Sequence, residues 1–390
     1  MIETRYAFIG NVDSGKSTLL SVLSTGDLDD GRGKMRKHIS QYRHELESGR
    51  TSSISLKWKD KDKILIDLCG HERYLRTTIY GLNSMTPDYC ILVIGSNMGI
   101  SRMTREHIRL AIGLEIPIII CLTKTDICPK NVYDTTRNVL KRLIHHKLGK
   151  KIYEVKENNK NIDNIVLSLT NIPVLDISNV TGEGIDKLNY IMNKLKVRRK
   201  FTYDKNIFQV DAVYSVPGSG LVVGGTMLSG KLSCKKLYMG PNKNGEFKNI
   251  IARSYWDNDG PTKEIEAGMY ATINIKGENK KDNIVRSTIK KGMILTDTLE
   301  DKKLTREFEA IVYILHHPTT IAVNYEPLIN CYGIRQCAKI ESMESDYLRS
   351  GDRCKCMFKF MMKSEYLCEG WTFIFREGGS KGVGVITKII

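Results

Sequence analysis

The sequence predicts an α/β P-loop domain, built on a doubly wound, mostly parallel sheet, followed by two all-β barrel domains. Three observations carry that expectation. Apolar strand runs alternate with amphipathic helical runs as far as Leu195, the pattern of a parallel sheet covered on both faces. Between the first strand and the first helix, Gly10-Asn11-Val12-Asp13-Ser14-Gly15-Lys16-Ser17 fits the phosphate-loop pattern G-x-x-x-x-G-K-[ST]. From Ile207 the period becomes two (Phe208, Val210, Ala212, Tyr214), broken by glycine turns at Gly218, Gly220, Gly224, Gly225, Gly230 and Gly240. A second such run begins near Thr305 and continues to Ile390. The expected domain spans are 1–200, 201–303 and 304–390.

Taken in order, Tyr6 to Ile9 reads as a buried strand and Lys16 to Thr25 as a helix with Leu19, Leu20 and Leu23 on one side. Strand, glycine loop and helix N-terminus together make an anion site, because backbone N–H groups and the helix dipole converge there. Asn11, Val12, Asp13, Ser14 and Gly15 in the loop, with Lys16, Ser17 and Thr18 opening the helix, are thus candidate nucleotide ligands. Lys16 can reach the β- and γ-phosphates, and the Ser17 hydroxyl can hold Mg²⁺. The polar stretch Gly26 to Arg50 is long for a connection within a domain, so it is expected to be either disordered or functional.

Strands follow at Ser53 to Lys59 and Lys63 to Asp67, the second running into Asp67-Leu68-Cys69-Gly70-His71-Glu72. A carboxylate at a strand's carboxyl end beside a phosphate loop is placed to hold Mg²⁺, usually through water, which makes Asp67 a candidate. Gly70 has no side chain to obstruct its backbone N–H from a γ-phosphate, and His71 would then lie near the attacking water.

Asp88 to Ser96 is a continuously apolar strand, Met103 to Leu114 a helix, and Ile116 to Leu122 the next strand, which enters Thr123-Lys124-Thr125-Asp126. The Asp126 carboxylate can accept from the N1 and N2 groups of guanine, and the Lys124 stem can pack along the base. Asn131 to Leu148 reads as a helix with Val132, Val139, Leu140, Leu143 and Ile144 inward; its face of Lys141, Arg142, His145 and Lys147 is read as solvated. Lys151 to Asn164 is hydrophilic and expected to be a mobile excursion. The strand Val174 to Ile177, the turn Ser178 to Gly182 and a helix with Ile185, Leu188, Ile191, Met192 and Leu195 inward complete the domain, closed by Lys196 to Lys200.

Composition narrows the classes. No apolar run approaches the roughly 20 residues of a membrane helix. The N-terminus enters the first strand at once, so no signal peptide and no membrane are expected. Ten cysteines are scattered singly, and Cys354 and Cys356 form C-x-C rather than a paired zinc-knuckle motif; free thiols in a reducing cytoplasm are the simpler account. A net charge of +16, from 60 basic and 44 acidic residues, favours a polyanionic partner, RNA first, with a merely soluble lysine-rich surface as the competing account.

The order of motifs resembles a translational GTPase of the elongation factor Tu and eukaryotic elongation factor 1-alpha superfamily, and the likeness covers essentially the whole chain. Gly10 to Ser17 is similar to the family's G-H-V-D-x-G-K-[ST], Asp67 to Glu72 to its D-x-P-G-H-E, and Ser178-Asn179-Val180-Thr181-Gly182-Glu183-Gly184 to its S-A-x-T-G-x-G. In the barrels, Val216 to Gly220 resembles the second-domain V-x-G-x-G turn. His317 to Ile321 and Tyr325 to Pro327 resemble the third-domain H-P-x-x-I and Y-x-P, and Glu369 to Phe373 and Gly382 to Ile386 its last two strands. Glu47 to Ser53 and Gly31-Arg32-Gly33 look most like the GTP-binding protein 1 and 2 group, which is linked to ribosomes and RNA surveillance.

The resemblance implies GTP and GDP as ligands with Mg²⁺, which Ser17, Asp67 and the switch I threonine Thr51 would hold. It adds Thr123, Ser178, Asn179 and Val180 to the nucleotide contacts, makes His71, Gly70 and Thr51 the catalytic set, and puts a monovalent cation near Asp13. Three departures qualify it. Arg50 replaces the isoleucine before Thr51, so an apolar gate with Val12 beside the histidine is not assumed. Thr123 replaces the asparagine of N-K-x-D, implying a weaker or different tether, and Cys69 replaces a proline, implying a looser switch II.

The expected function is a cytoplasmic, monomeric GTP switch that binds tRNA-like RNA and acts at the ribosome, in elongation or in rescue and surveillance. It would hydrolyse GTP to GDP and phosphate slowly until stimulated. No arginine finger in cis is evident, so stimulation is expected from the ribosome, and an exchange factor is a candidate further partner. The main rival is an RNA-binding adaptor that holds GTP with negligible turnover. A sulfurylase-regulating GTPase and an initiation factor 2 gamma reading are weaker, given the basic charge, the switch I sequence and the missing zinc knuckle.

Overall fold

A computed structural model describes residues 2–39, 51–147, 149–155, 171–278, 284–299, 304–378 and 380–390. The chain forms two compact units, one of Thr4–Leu82 with Thr86–Arg198, the other of Arg199–Ile390 with two short pieces of the N-terminal half.

The first unit is built on a seven-stranded sheet in the order β2-β3-β1-β4-β5-β7-β6, from β1 (Thr4–Gly10), β2 (Ser55–Lys59), β3 (Lys63–Asp67), β4 (Tyr89–Gly95), β5 (Ile118–Thr123), β6 (Lys151–Glu154) and β7 (Asn171–Ile177). Only β2 runs antiparallel, against β3. Every residue of β1 and β4 is buried, which is why residues 6–9 and 89–94 run continuously apolar rather than alternating. Helices α1 (Lys16–Thr25), α2 (Leu75–Ser84), α3 (Arg102–Gly113), α4 (Lys130–Arg142) and α5 (Ile185–Lys194) complete the unit. Because β1, β3, β5 and β7 are parallel, the loops after them open at one end of the sheet, where such folds bind ligands.

Three local expectations change. Lys151 to Asn164 is not wholly an excursion: Lys151–Glu154 pairs in parallel with β7. As an edge strand it has little buried surface, so it lacks an apolar pattern; Arg137 of α4 fastens it through Glu154 at 2.6 Å. Helix α2 was not expected, because its two threonines and Gly81 blur the helical period. Gly81 packs closely there: a Cβ would lie 2.4 Å from Leu68 Cδ2, so the Leu68 side chain would have to shift. The helix expected over Asn131 to Leu148 is α4 followed by a π-helical turn, Leu143–Lys147; Leu140 and Ile144 are inward, while Val132 and Val139 are only half-buried.

The second unit holds two six-stranded barrels. The first closes as β11-β16-β8-β9-β15-β12, from β8 (Ile207–Val216), β9 (Gly220–Ser229), β11 (Lys236–Gly240), β12 (Lys248–Asp257), β15 (Tyr270–Gly277) and β16 (Ile294–Thr296), with the β11–β12 pairing shutting the ring. The short strands β10 (Lys231–Leu232), β13 (Gly260–Thr262) and β14 (Ile265–Glu266) lie outside that ring. Gly224 and Gly225, expected as turns, lie instead in the interior of β9. A Cβ on Gly225 would meet the Gln209 carbonyl oxygen at 1.8 Å, where β8 bulges toward it. The second ring runs β18-β21-β20-β19-β23-β24, from β18 (Glu307–His316), β19 (Leu328–Cys331), β20 (Ile334–Met343), β21 (Arg353–Phe360), β23 (Thr372–Glu377) and β24 (Ser380–Ile389). It closes around Phe308, Phe358, Phe360, Phe373 and Phe375; β17 (Leu304–Thr305) pairs with β22 (Glu365–Tyr366) beside it.

Among the described residues, which include all ten cysteines, no disulfide forms, and no helix is long and apolar enough to cross a membrane.

Candidate nucleotide site

The loop after β1 is shaped by glycine. Gly15 caps α1 in the left-handed region at φ 79°, and a Cβ on Gly10 would strike the Val93 carbonyl oxygen at 2.3 Å. The loop's backbone N–H groups therefore gather at the N-terminus of α1. Asn11 to Thr18 all line one cavity, together with Arg36, Thr51, Gly70 and His71. Lys16 is 6% exposed and Ser14 is 2% exposed, whereas Asp13 is exposed at φ 56° on the rim.

Below the loop, oxygen ligands converge. Ser17 Oγ donates to Asp67 Oδ2 at 2.7 Å, and Thr51 Oγ1 lies 3.1 Å from Ser17 Oγ and 3.3 Å from the same carboxylate oxygen. Lys16 Nζ stands 3.4 Å from Asp67 Oδ1. Asp67 is fully buried, and among the described residues Oδ1 has the Lys16 ion pair but no hydrogen-bond partner. Two hydroxyls and a buried carboxylate are the hard-oxygen donor set that Mg²⁺ takes beside phosphates, so these residues fit that ion.

Gly70 is held against the phosphate loop itself: a Cβ would come within 2.6 Å of the Gly10 carbonyl oxygen and 2.8 Å of the Asn11 carbonyl. The close approach to loop backbone, as well as the expected approach to phosphate, thus demands glycine. Cys69, expected to loosen this turn, is buried; its carbonyl accepts from Thr78 Oγ1 at 2.7 Å and its thiol faces the Ser53 carbonyl at 3.8 Å. His71 caps the short 3₁₀ turn Glu72–Tyr74 by accepting from the Arg73 N–H at Nδ1, 3.1 Å away. With Nδ1 engaged by the Arg73 N–H, Nε2 is the ring nitrogen left to meet a water. Glu47 to Arg50, and so the question of an apolar gate, lie outside the described residues.

The loops after β5 and β7 reach the same place from the side. Thr123 Oγ1 lies 2.6 Å from the Ser14 carbonyl oxygen, and Asn179 Nδ2 donates to the Gly15 carbonyl at 3.4 Å. Lys124 takes φ 60° and Asp126 is exposed. Ser178 Oγ accepts from Val180 N–H at 3.2 Å and Thr181 N–H at 3.1 Å, which shapes the last loop; Val180 is 40% exposed at its tip. These residues flank the phosphate cavity without lining it.

Sequence reasoning missed Arg36. It lines the phosphate cavity from the 3₁₀ turn Met35–His38, inside the stretch expected to be disordered or functional. Its signal was faint: Met35 and Ile39, four residues apart, are buried anchors in a mostly polar run.

A phosphate loop at the end of a wound parallel sheet, followed by two six-stranded barrels, defines the class as a P-loop nucleotide-binding protein of elongation-factor architecture. The elongation factor Tu GTP binding domain family matches residues 4–197. GTP-binding protein 1 of Xenopus laevis is 39% identical over all of this chain and 64% of its own length, so this chain spans less than two thirds of that relative. GTP-binding protein 2 of Mus musculus is 33% identical over all of this chain and 69% of its own. In fold, a crystal structure of a bacterial selenocysteine-specific elongation factor, EF-Sec, superposes with a TM-score of 0.72 at 20% identity, covering 99% of this chain and 58% of the other. The chain belongs to the elongation factor Tu superfamily of GTP-binding proteins, in the group of GTP-binding proteins 1 and 2.

Proposed function

We propose that this chain is a GTP-driven switch that binds tRNA-like RNA, acts at the ribosome in elongation or in rescue and surveillance, and hydrolyses GTP to GDP and phosphate. The observation that carries this reading is the convergence of Ser17, Thr51 and Asp67 under Lys16, with His71 on the wall of the same cavity. Asn11 to Thr18 cradle the phosphates. Thr123, Lys124, Asp126 and Ser178 to Val180 serve the guanine base. Ser17, Thr51 and Asp67 hold Mg²⁺, which neutralises phosphate charge when bound, and a monovalent cation sits near Asp13. His71 orients the water, and the Gly70 N–H faces the γ-phosphate. The working domains are 1–200, 201–303 and 304–390; the protein is a cytoplasmic monomer whose hydrolysis the ribosome stimulates, with an exchange factor as a candidate partner.

The test is single-turnover GTP hydrolysis with and without ribosomes, beside co-sedimentation with ribosomes and capture of bound RNA. The switch reading expects co-sedimentation and a ribosome-dependent rise in rate. GTP bound tightly but never turned over would put the adaptor reading in its place. Failure to co-sediment would count against ribosomal action.

A further inference from the structure

The phosphate cavity has a second cationic wall. Lys16 comes from the helix-opening loop and stands beside the Asp67 carboxylate; Arg36 comes from the 3₁₀ turn Met35–His38. That turn is a built support. Asp29, 8% exposed, accepts from Gly31 N–H at 3.1 Å and Gly33 N–H at 3.3 Å through Oδ2, and from Met35 N–H at 2.9 Å through Oδ1. Its own N–H donates to the Asn179 carbonyl at 2.9 Å, which ties the segment to the loop after β7. Met35 and Ile39, 2% and 4% exposed, are members of the sheet-and-helix core on either side of Arg36. An arginine between two core anchors, on a turn tied by one carboxylate, is held at the cavity wall without help from a second protein.

We infer that Arg36 is a catalytic arginine supplied in cis, whose guanidinium meets the phosphate oxygens that gain charge during hydrolysis. This rests on the hydrolase reading above. In the reaction, the water oxygen forms a bond to the γ-phosphorus. The bond from that phosphorus to the β,γ-bridging oxygen breaks, with its electron pair retained on GDP. One water proton stays on the released phosphate and the other goes to solvent. Negative charge grows on the bridging oxygen and shifts among the γ-oxygens, and planar, always-charged N–H donors fixed nearby lower the energy of that distribution. Basal hydrolysis then depends on this chain's own arginine, and a ribosome would add to it rather than supply the only cation.

The experiment uses the full chain as wild type, Arg36→Ala and Arg36→Lys. It reads ribosome-free single-turnover hydrolysis, equilibrium binding of fluorescent GDP, binding of GDP with aluminium fluoride, and thermal unfolding. The expected result is a rate about 10²-fold lower in Arg36→Ala, partial recovery in Arg36→Lys, and loss of the aluminium fluoride complex, with GDP affinity and unfolding held close to wild type. Equal rates and equal aluminium fluoride binding in Arg36→Ala, beside a wild type that turns over, overturn the arginine's role alone. Matching losses of GDP affinity and thermal stability would reduce Arg36 to a structural residue. A wild type that never hydrolyses GTP, with or without ribosomes, overturns the hydrolase reading and this role with it.

Discussion

Thr123 Oγ1 lies 2.6 Å from the carbonyl oxygen of Ser14 and donates its proton there, so the last residue of β5 holds the phosphate loop directly. The Ile94 carbonyl is 3.2 Å from the same hydroxyl, and a single proton serves the shorter contact. Both residues are buried. The tether at this position is a short hydroxyl bond to backbone, made where β5 enters the loop of Lys124 and Asp126.

Thr123→Val keeps the shape and removes the proton, leaving the buried Ser14 carbonyl with one donor fewer. An unmet buried polar group costs about 1–3 kcal/mol, and a loosened loop should bind nucleotide several-fold more weakly. Urea unfolding and equilibrium nucleotide binding measure the two effects. Wild-type values in both would mean that the loop is held by other contacts.

Base choice should rest on Asp126. Asp126→Asn exchanges an acceptor pair for an acceptor and a donor, so preference should move from guanine toward xanthine nucleotides. Competition among GTP, ATP and XTP reads the change. A mutant that still prefers GTP would put the base pocket elsewhere.

The loop from Gly10 to Ser17 and the carboxylate Asp67 were legible because a fixed spacing fixes their chemistry: glycines for the turn, lysine and hydroxyl at the helix start, aspartate at a strand end. Both barrels were legible from the period-2 runs. Arg36 was not, because its place depends on a carboxylate seven residues earlier and on two anchors meeting a core formed by other segments. Helix α2 and strand β6 escaped for a related reason. Gly81 is fixed by the Leu68 side chain and Lys151–Glu154 by the edge of β7, and neither neighbour is visible in a local window.

Gly70→Ala should slow hydrolysis where another glycine replacement leaves it alone. A Cβ at Gly70 would meet backbone at 2.6–2.8 Å, and backbone of the phosphate loop cannot swing aside as a side chain would. Overpacking of this kind costs about 1–3 kcal/mol and should slow hydrolysis as the turn shifts. Gly26→Ala is the comparison: with φ 83° and nothing within 4 Å, it carries only the left-handed backbone cost of about 1–2 kcal/mol and should leave hydrolysis alone. Equal hydrolysis rates in the two variants would remove Gly70 from the reacting centre.

RNA affinity should fall steeply with salt and differ between nucleotide states. With a net charge of +16, each phosphate contact should contribute a slope of roughly −0.7 to −0.9 in log affinity against log salt. Filter binding over a salt series, with GDP and with a non-hydrolysable GTP analogue, gives the slope and the state dependence. A flat response, or equal affinity in both states, would count against a GTP-switched RNA carrier.

His71→Ala should lower hydrolysis while sparing GTP affinity. The imidazole is placed by its own turn: Nδ1 accepts from Arg73 N–H at 3.1 Å, and the ring meets Tyr74 edge-on at 6.1 Å between centroids. That leaves Nε2 to meet a water at the cavity wall. An interaction made only in the transition state changes turnover and not affinity. Loss of one positioning group commonly costs about 10²-fold, or roughly 3 kcal/mol. His71→Gln separates the role further, because an amide can donate to water and cannot act as a base at neutral pH. Partial activity in His71→Gln, with none in His71→Ala, supports orientation by donation. If His71→Ala hydrolyses as fast as wild type with ribosomes present, His71 is not the residue that places the water, and the burden of catalysis shifts to Arg36 and the ion-binding oxygens.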